Sequence, residues 1–314
     1  MKYLFVILSL SLLFIAPFFG QIDISLSQIN TLTSIDHKLF WDLRIPRVVV
    51  AFFTGGLLGL SGLVFQSLFR NPMSTPFTLG VASGATLGTA FAIVFSFIPF
   101  IALFGFFGAL MTIVVLFTIT AKLKAYETSS LLLVGIALSF FYSAALMILF
   151  YLSDQTQSYE IVRFTMGSLD VVGMRSVIPI VVASILLLLT TLKYKREIKL
   201  LLTSYDNAFL KGMDVQRVNT ILLVSISMAI GVAVSITGPI GFVGLIIPHI
   251  LKTIYKRSAD QLLLLSFFYS GVFLVFCDLV ARNLGTSSDV PIGVVTSFLG
   301  GPFFIYLLVR RKKQ

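Results

Sequence analysis

Charge is what this chain has least of: 11% of its 314 residues are Asp, Glu, Lys or Arg, against 57% in the hydrophobic set. A soluble domain carries roughly a quarter charged residues, so the balance excludes one and calls for a lipid-facing surface. Cysteine is nearly absent as well. The single Cys277 excludes an intramolecular disulfide and a thiolate zinc cluster, which leaves helix packing to hold the fold. The two histidines, His37 and His249, stand apart without ligands or catalytic partners at helical spacing, so neither a metal nor a cofactor site is expected. No Gly-x-x-x-x-Gly-Lys-Ser/Thr string occurs, and the chain is therefore not expected to hydrolyse ATP itself. The net charge of +10 would suit nucleic acid. So few polar residues leave little surface for such a partner, and membrane topology is the better account of the basic excess.

Apolar sequence, by contrast, comes in stretches long enough to cross a bilayer. About 20 residues rising 1.5 Å each span roughly 30 Å of hydrocarbon. Ten stretches qualify, at about residues 3–20, 47–69, 77–97, 100–121, 129–152, 177–192, 218–237, 240–255, 262–281 and 290–309. None alternates as a strand would. The expected fold is an all-α polytopic membrane protein, one transmembrane domain over residues 1–314 with ten transmembrane helices and both termini cytoplasmic. Lys2 before an apolar core resembles a signal peptide, but Ala16, Pro17 and Phe18 offer no small-x-small cleavage site, so the first stretch reads as a span. Basic residues test the topology, because cytoplasmic connections hold their excess. Alternate connections divide the 23 Lys and Arg into seventeen and six, with Lys38, Arg44, Arg47, Arg163, Arg175 and Arg282 on the poorer, external side.

Three connections are long, at 21–46 and 153–176 outside and 193–217 inside. The last holds the polar cluster Ser204-Tyr205-Asp206-Asn207-Ala208, suited to cap a short interfacial helix ending at Gly212. Within the spans only His249 and Asp278 are ionisable well below the surface. His249 reads as a hydrogen-bonded packing residue or a proton site, and Asp278 as a partner of Arg282 four residues on. An ion-coupled secondary transporter, the alternative from a different class, needs several paired intramembrane acids, which the sequence lacks. Gly55, Gly56, Gly59 and Gly62, and Gly80, Gly84 and Gly88, read as close helix contacts. In Gly238-Pro239-Ile240-Gly241-Phe242-Val243-Gly244 a proline and three glycines meet at a span boundary. There the chain forms either a broken helix bordering a translocation path, with Gly238, Pro239, Gly241, Phe242 and Gly244 as its wall or gate, or a tight turn.

Several strings resemble the FecCD family of importer permeases, whose members carry iron chelates, haem or cobalamin. They are Arg44-Ile45-Pro46-Arg47, then Phe69-Arg70-Asn71-Pro72-Met73-Ser74-Thr75-Pro76-Phe77-Thr78-Leu79-Gly80, the block from Gly238 to His249, and Asp278-Leu279-Val280-Ala281-Arg282 leading to Pro291-Ile292-Gly293 and Gly300-Gly301-Pro302. The resemblance implies ten helices per subunit, a location in the cytoplasmic (inner) membrane, and a homodimer or close heterodimer with the path between two permease subunits. It also implies two cytoplasmic ATP-binding cassette subunits as the energy source and an external substrate-binding protein that delivers the cargo. A ferric siderophore is the expected cargo, iron chelates being the commonest in the family, with haem or cobalamin as alternatives. Within residues 203–215, Asp206, Asn207, Ala208, Phe209, Leu210, Lys211 and Gly212 are similar to the family's coupling helix, which meets the ATPase. Arg44, Arg47 and Arg282 match positions that dock the binding protein. Lys211 and Lys252 depart from the usual pattern, as do Phe164 and the loop Lys256-Arg257-Ser258-Ala259-Asp260.

Overall fold

Hydrocarbon offers no water to pair with backbone groups, so an apolar segment closes its own hydrogen bonds as a helix. A computed structural model describes residues 2–22, 35–122, 128–203, 205–284 and 289–311, and among them helices form without a strand. In chain order they are α1 (Lys2–Ile15), α2 (Ile45–Leu68), α3 (Val81–Val94), α4 (Ile101–Lys122), α5 (Thr128–Leu152), α6 (Gln155–Thr165) and α7 (Val177–Lys193). There follow α8 (Lys195–Thr203), α9 (Tyr205–Leu210), α10 (Val215–Thr237), α11 (Val243–Tyr255), α12 (Ala259–Leu284) and α13 (Ile292–Arg311). A short helix Ile35–Lys38 and a π-helical turn Leu39–Arg44 run straight into α2.

Each of the ten apolar stretches carries a helix. Among the described residues five helices are long and apolar enough to cross a membrane, and α7 with α8 up to Leu202 makes a sixth if a pair bent by 64° is one span. Four more apolar helices, at 6–18, 81–94, 243–255 and 292–305, are shorter. The shortening has local causes. The stretch expected from residue 77 begins as a 3-10 turn at Pro76–Leu79, and Gly80 then adopts φ +77° before α3 starts. The stretch expected from residue 240 becomes helical only at Val243. The connection 153–176, expected outside the membrane, contains α6, whose start is a capping box: Asp154 accepts from the Gln157 backbone and Gln157 reaches back to the Asp154 N–H. Ser204 of the polar cluster and three of the seventeen basic residues on the richer side, Lys124, Lys312 and Lys313, lie outside the described residues.

Helix α2 is the centre, with 83% of its apolar window buried, whereas α5 has 17% buried and faces outward. Small residues allow this crowding. A methyl group at Gly55 would sit 2.5 Å from the Ser270 carbonyl of α12, and one at Gly62 would overlap the Gly244 carbonyl of α11. Gly84 and Gly88 seat α3 against Thr112 and Phe104 of α4 in the same way. Interhelical hydrogen bonds add to this contact, from Ser266 Oγ to the Gly59 carbonyl (3.0 Å) and from Ser184 Oγ to the Phe53 carbonyl (3.2 Å). The Gly-rich face of α2 therefore fixes the position of the helices that pack against it.

Candidate functional site

At the end of the bundle where α2 begins, four separate segments bring their charges together. Arg47, in the first turn of α2, donates from Nε to Asp278 Oδ1 of α12 at 2.8 Å. Its Nη1 reaches Asp170 Oδ1 (2.7 Å) in the α6–α7 connection and Asp289 Oδ2 (2.6 Å) before α13. Arg282, one turn after Asp278, lies 3.0 Å away through Nε and Oδ2. The expected pair is therefore present, but Asp278, completely buried, is held between two arginines instead of one. Arg163 and Ser168 both donate to Asp170 Oδ2 at 2.8 Å. Burial opposes ionisation of Asp170, yet Arg47, Ser168 and Arg163 outweigh it and hold the carboxyl below its ordinary value.

Arg44, Arg47 and Arg282 lie together at this end, and each is occupied within the chain. Arg44 donates to the carbonyls of Pro17 (3.2 Å), Phe18 (2.9 Å) and Ile22, while Arg282 also reaches Phe19 (3.3 Å) and Ala16 (3.4 Å). The two arginines thereby tie the end of the first apolar helix to α2 and α12. A cavity of about 290 Å³ opens here, lined by the three arginines together with Asp170 and Asp289. Arg163, Asp170 and Asp289 were missed as members of this cluster, because 123 and 242 residues separate Arg47 from the two acids in the chain.

Residues 238–242 form a non-helical link between α10 and α11, joined to its neighbours through backbone. Gly238 closes α10 with φ +67°, and a side chain there would strike the Phe164 carbonyl. The Ser168 N–H donates to the Thr237 carbonyl (2.8 Å), and Gly293 N–H to the Met166 carbonyl (3.0 Å), so α10, α13 and the end of α6 share one junction. Phe242 also takes a left-handed φ, +65°, which a residue with a side chain adopts at a cost of about 1–3 kcal/mol. Its ring lies where any side chain at Gly300 would be. Gly241 borders two cavities. One, of about 480 Å³, is lined by Thr165, Met166, Pro239, Gly293 and Phe298, and the other, of about 310 Å³, by Leu58, Thr75, Phe77, Phe242 and Leu245. Gly244 lines the second, while Gly238 lines neither.

At the opposite end, α9 is a six-residue helix that contains Asp206, Asn207, Ala208, Phe209 and Leu210. It closes as a C-terminal glycine permits, with Gly212 at φ +78° and Met213 N–H donating to the Ala208 carbonyl (3.1 Å). Ala208 is fully buried, while Phe209 and Leu210 are 73% and 80% exposed. Lys211 is exposed beside them. Arg70, just past α2, donates from Nε to the Leu201 carbonyl of α8 at 3.0 Å, so this end of α2 is tied to the helix that leads into α9.

Residues 5–310 match the FecCD transport family. The Hemin transport system permease protein HmuU of Yersinia pestis is 35% identical over 298 residues, which cover 91% of this chain and 87% of that protein. The Vitamin B12 import system permease protein BtuC of Vibrio vulnificus is 34% identical over 98% of this chain and 93% of its own length. Among solved structures, the inward-facing conformation of a metal-chelate type ABC transporter matches with a TM-score of 0.89 at 27% identity, covering 98% of this chain and 99% of that one.

Proposed function

The chain belongs to the FecCD transport family, and on that premise we propose that it is the permease of an ATP-driven importer carrying a ferric siderophore across the cytoplasmic membrane. Membership makes it a multi-pass transport component for metal chelates. The siderophore is the narrower claim, with haem and cobalamin, the cargoes of the two named relatives, as alternatives. One observation carries the reading: the whole chain shares its arrangement of helices with a metal-chelate ABC transporter, at a TM-score of 0.89.

In this proposal the ten apolar helices are ten crossings with both termini in the cytoplasm, in line with the seventeen-to-six division of basic residues. Two permease subunits form a homodimer, and Gly238, Pro239, Gly241, Phe242 and Gly244 border the path between them. Two features support the path reading over a plain tight turn: Gly241 lines both cavities, and Phe242, which lines the second, takes a strained conformation. The segment Asp206–Gly212 receives one of two ATP-binding cassette subunits, with Phe209 and Leu210 as the apolar contact. An external binding protein docks on the face that bears Arg44, Arg47 and Arg282. Since their guanidinium groups are occupied internally, these arginines serve docking by fixing the shape and charge of the rim. An ion-coupled carrier fits less well, because Asp278 is neutralised by two arginines and not poised to take up an ion.

The test is uptake into proteoliposomes that contain the permease, its ATPase and its binding protein. ATP-dependent accumulation of a ferric siderophore, with no accumulation of haemin or cobalamin, is expected. Uptake driven by an ion gradient without ATP would refute the class, and haemin or cobalamin uptake alone would refute the cargo.

A further inference from the structure

Helix α11 contains a proline, and its consequence lies in a neighbouring helix. Pro248 has no N–H, so the carbonyl of Gly244 four residues earlier lacks its helical donor. A carbonyl left unpaired in hydrocarbon is costly. Gln66 of α2, 3% exposed, supplies the replacement: its Nε2 donates to the Gly244 carbonyl at 3.3 Å. The approach is possible because Gly62, one turn earlier on α2, lets the two backbones touch. The other end of the same carboxamide is fixed as well. Lys252, one turn beyond Pro248, donates from Nζ to Gln66 Oε1 at 3.0 Å. A carboxamide turned the other way would set its NH2 against the ammonium and its oxygen against the carbonyl, so Lys252 selects the orientation that serves Gly244.

We propose that Gln66 and Lys252 are positioning residues for transport: together they replace the hydrogen bond missing at Pro248 and clamp the path-bordering start of α11 to α2. The clamp lies between the two functional ends of the molecule. Arg70, just past the end of α2 and four residues beyond Gln66 in the chain, holds the Leu201 carbonyl of α8, the helix that precedes α9. A displacement of α9 is thus passed through α8 to the end of α2, and from Gln66 to Gly244, Phe242 and the cavities beside them. Snorkelling to lipid phosphate, the usual task of a lysine near a helix end, would direct the ammonium outward, whereas this one turns in to Gln66. The inference rests on the proposed path and coupling roles of these segments.

The experiment uses the reconstituted complex with ATPase and binding protein, and reads chelate transported per ATP hydrolysed at matched membrane levels. Gln66→Leu removes the donor, and Lys252→Met removes the group that orients it. Each is expected to lower the transport-to-hydrolysis ratio about tenfold with complex assembly unchanged, while Lys252→Arg restores it. Pro248→Ala returns the missing N–H, so adding it to Gln66→Leu is expected to recover most of the loss. A normal ratio in Gln66→Leu overturns the inference, as does failure of Pro248→Ala to suppress the defect. If Gln66→Leu fails to assemble, Lys252→Met against Lys252→Arg decides by the same ratio, and equal ratios overturn the proposal. Absence of chelate transport by the wild-type complex would instead defeat the importer reading itself.

Discussion

Replacing Arg47 by Leu tests what the ionic cluster contributes, and its size follows from burial. Arg47 has three carboxylate partners, of which Asp170 and Asp289 are partly exposed and Asp278 is completely buried. Exposed pairs contribute about 0–1 kcal/mol each. Removing one partner of a buried pair costs about 3–5 kcal/mol, since the charge left behind cannot reach water. Asp278 keeps Arg282, so the bottom of that range, about 3 kcal/mol, is expected. At about 1.4 kcal/mol per decade, this is roughly a hundredfold rise in the population of states in which the cluster has opened. The chain carries its own reporter, because Cys277, its only thiol, is fully buried beside Asp278. Maleimide labelling of detergent-purified protein should accelerate about a hundredfold in Arg47→Leu. Arg47→Lys keeps the charge without the planar fork and should fall between. Adding Asp278→Asn to Arg47→Leu removes the stranded charge and should recover much of the loss. If Arg47→Leu labels at the wild-type rate, the cluster contributes nothing to holding this end closed.

Cysteines placed at Thr156 and at Arg257 in a Cys277→Ala background should label from opposite sides of the membrane, and labelling of both from outside would refute ten crossings. Phe209→Asp with Leu210→Asp should abolish ATPase association by pull-down with the melting temperature unchanged, since both side chains are exposed; retained association would remove α9 from the contact. Ala208→Trp is a poorer probe, because Ala208 is buried within the permease and the substitution should lower its own stability. Asp170 has its carboxyl held below its ordinary value of 3.8. The stabilisation this brings is present above that value and lost only as pH falls through the depressed one. Melting temperature should therefore show no Asp170-dependent change between pH 7 and pH 5, by comparison with Asp170→Asn, and a step in that window would refute the assignment.

Most helix positions were legible because the bilayer imposes one length scale and one composition on each of them. What escaped was short-range backbone chemistry inside apolar windows. Gly80 breaks the third stretch, and the eighth becomes helical only after Phe242 at φ +65°, yet neither break alters mean hydropathy enough to register. The bend between α7 and α8 escaped for a different reason: it falls where an apolar run becomes the basic Lys193-Tyr194-Lys195-Arg196, which reads as a span boundary with no indication of the new direction. The capping box at Asp154 and Gln157 was legible in principle, since the two residues stand three apart and precede a helical pattern.

The site residues divide along the same line. Asp278 and Arg282 are four apart on one helix, and that spacing is enough to pair them. The partners that decide what the pair does come from outside the helix. Arg47 is 231 residues from Asp278, and no local rule connects them. A guanidinium at the outer end of a span presents the same sequence whether it faces a partner protein, a phosphate or its own chain. Only the position of competing acceptors separates these cases, and here three carboxylates and several carbonyls reach the arginines first. Reversing Arg47 to Glu would consequently place a fourth carboxylate among three and damage the fold before it reported on docking. The residues whose change would probe the proposed docking face alone are those that rim the cavity without entering the cluster. Val172 is such a position, exposed and lining that cavity. Val172→Glu should weaken binding-protein affinity with Cys277 labelling unchanged. An affinity equal to wild type at physiological salt would move the docking contact away from this cavity.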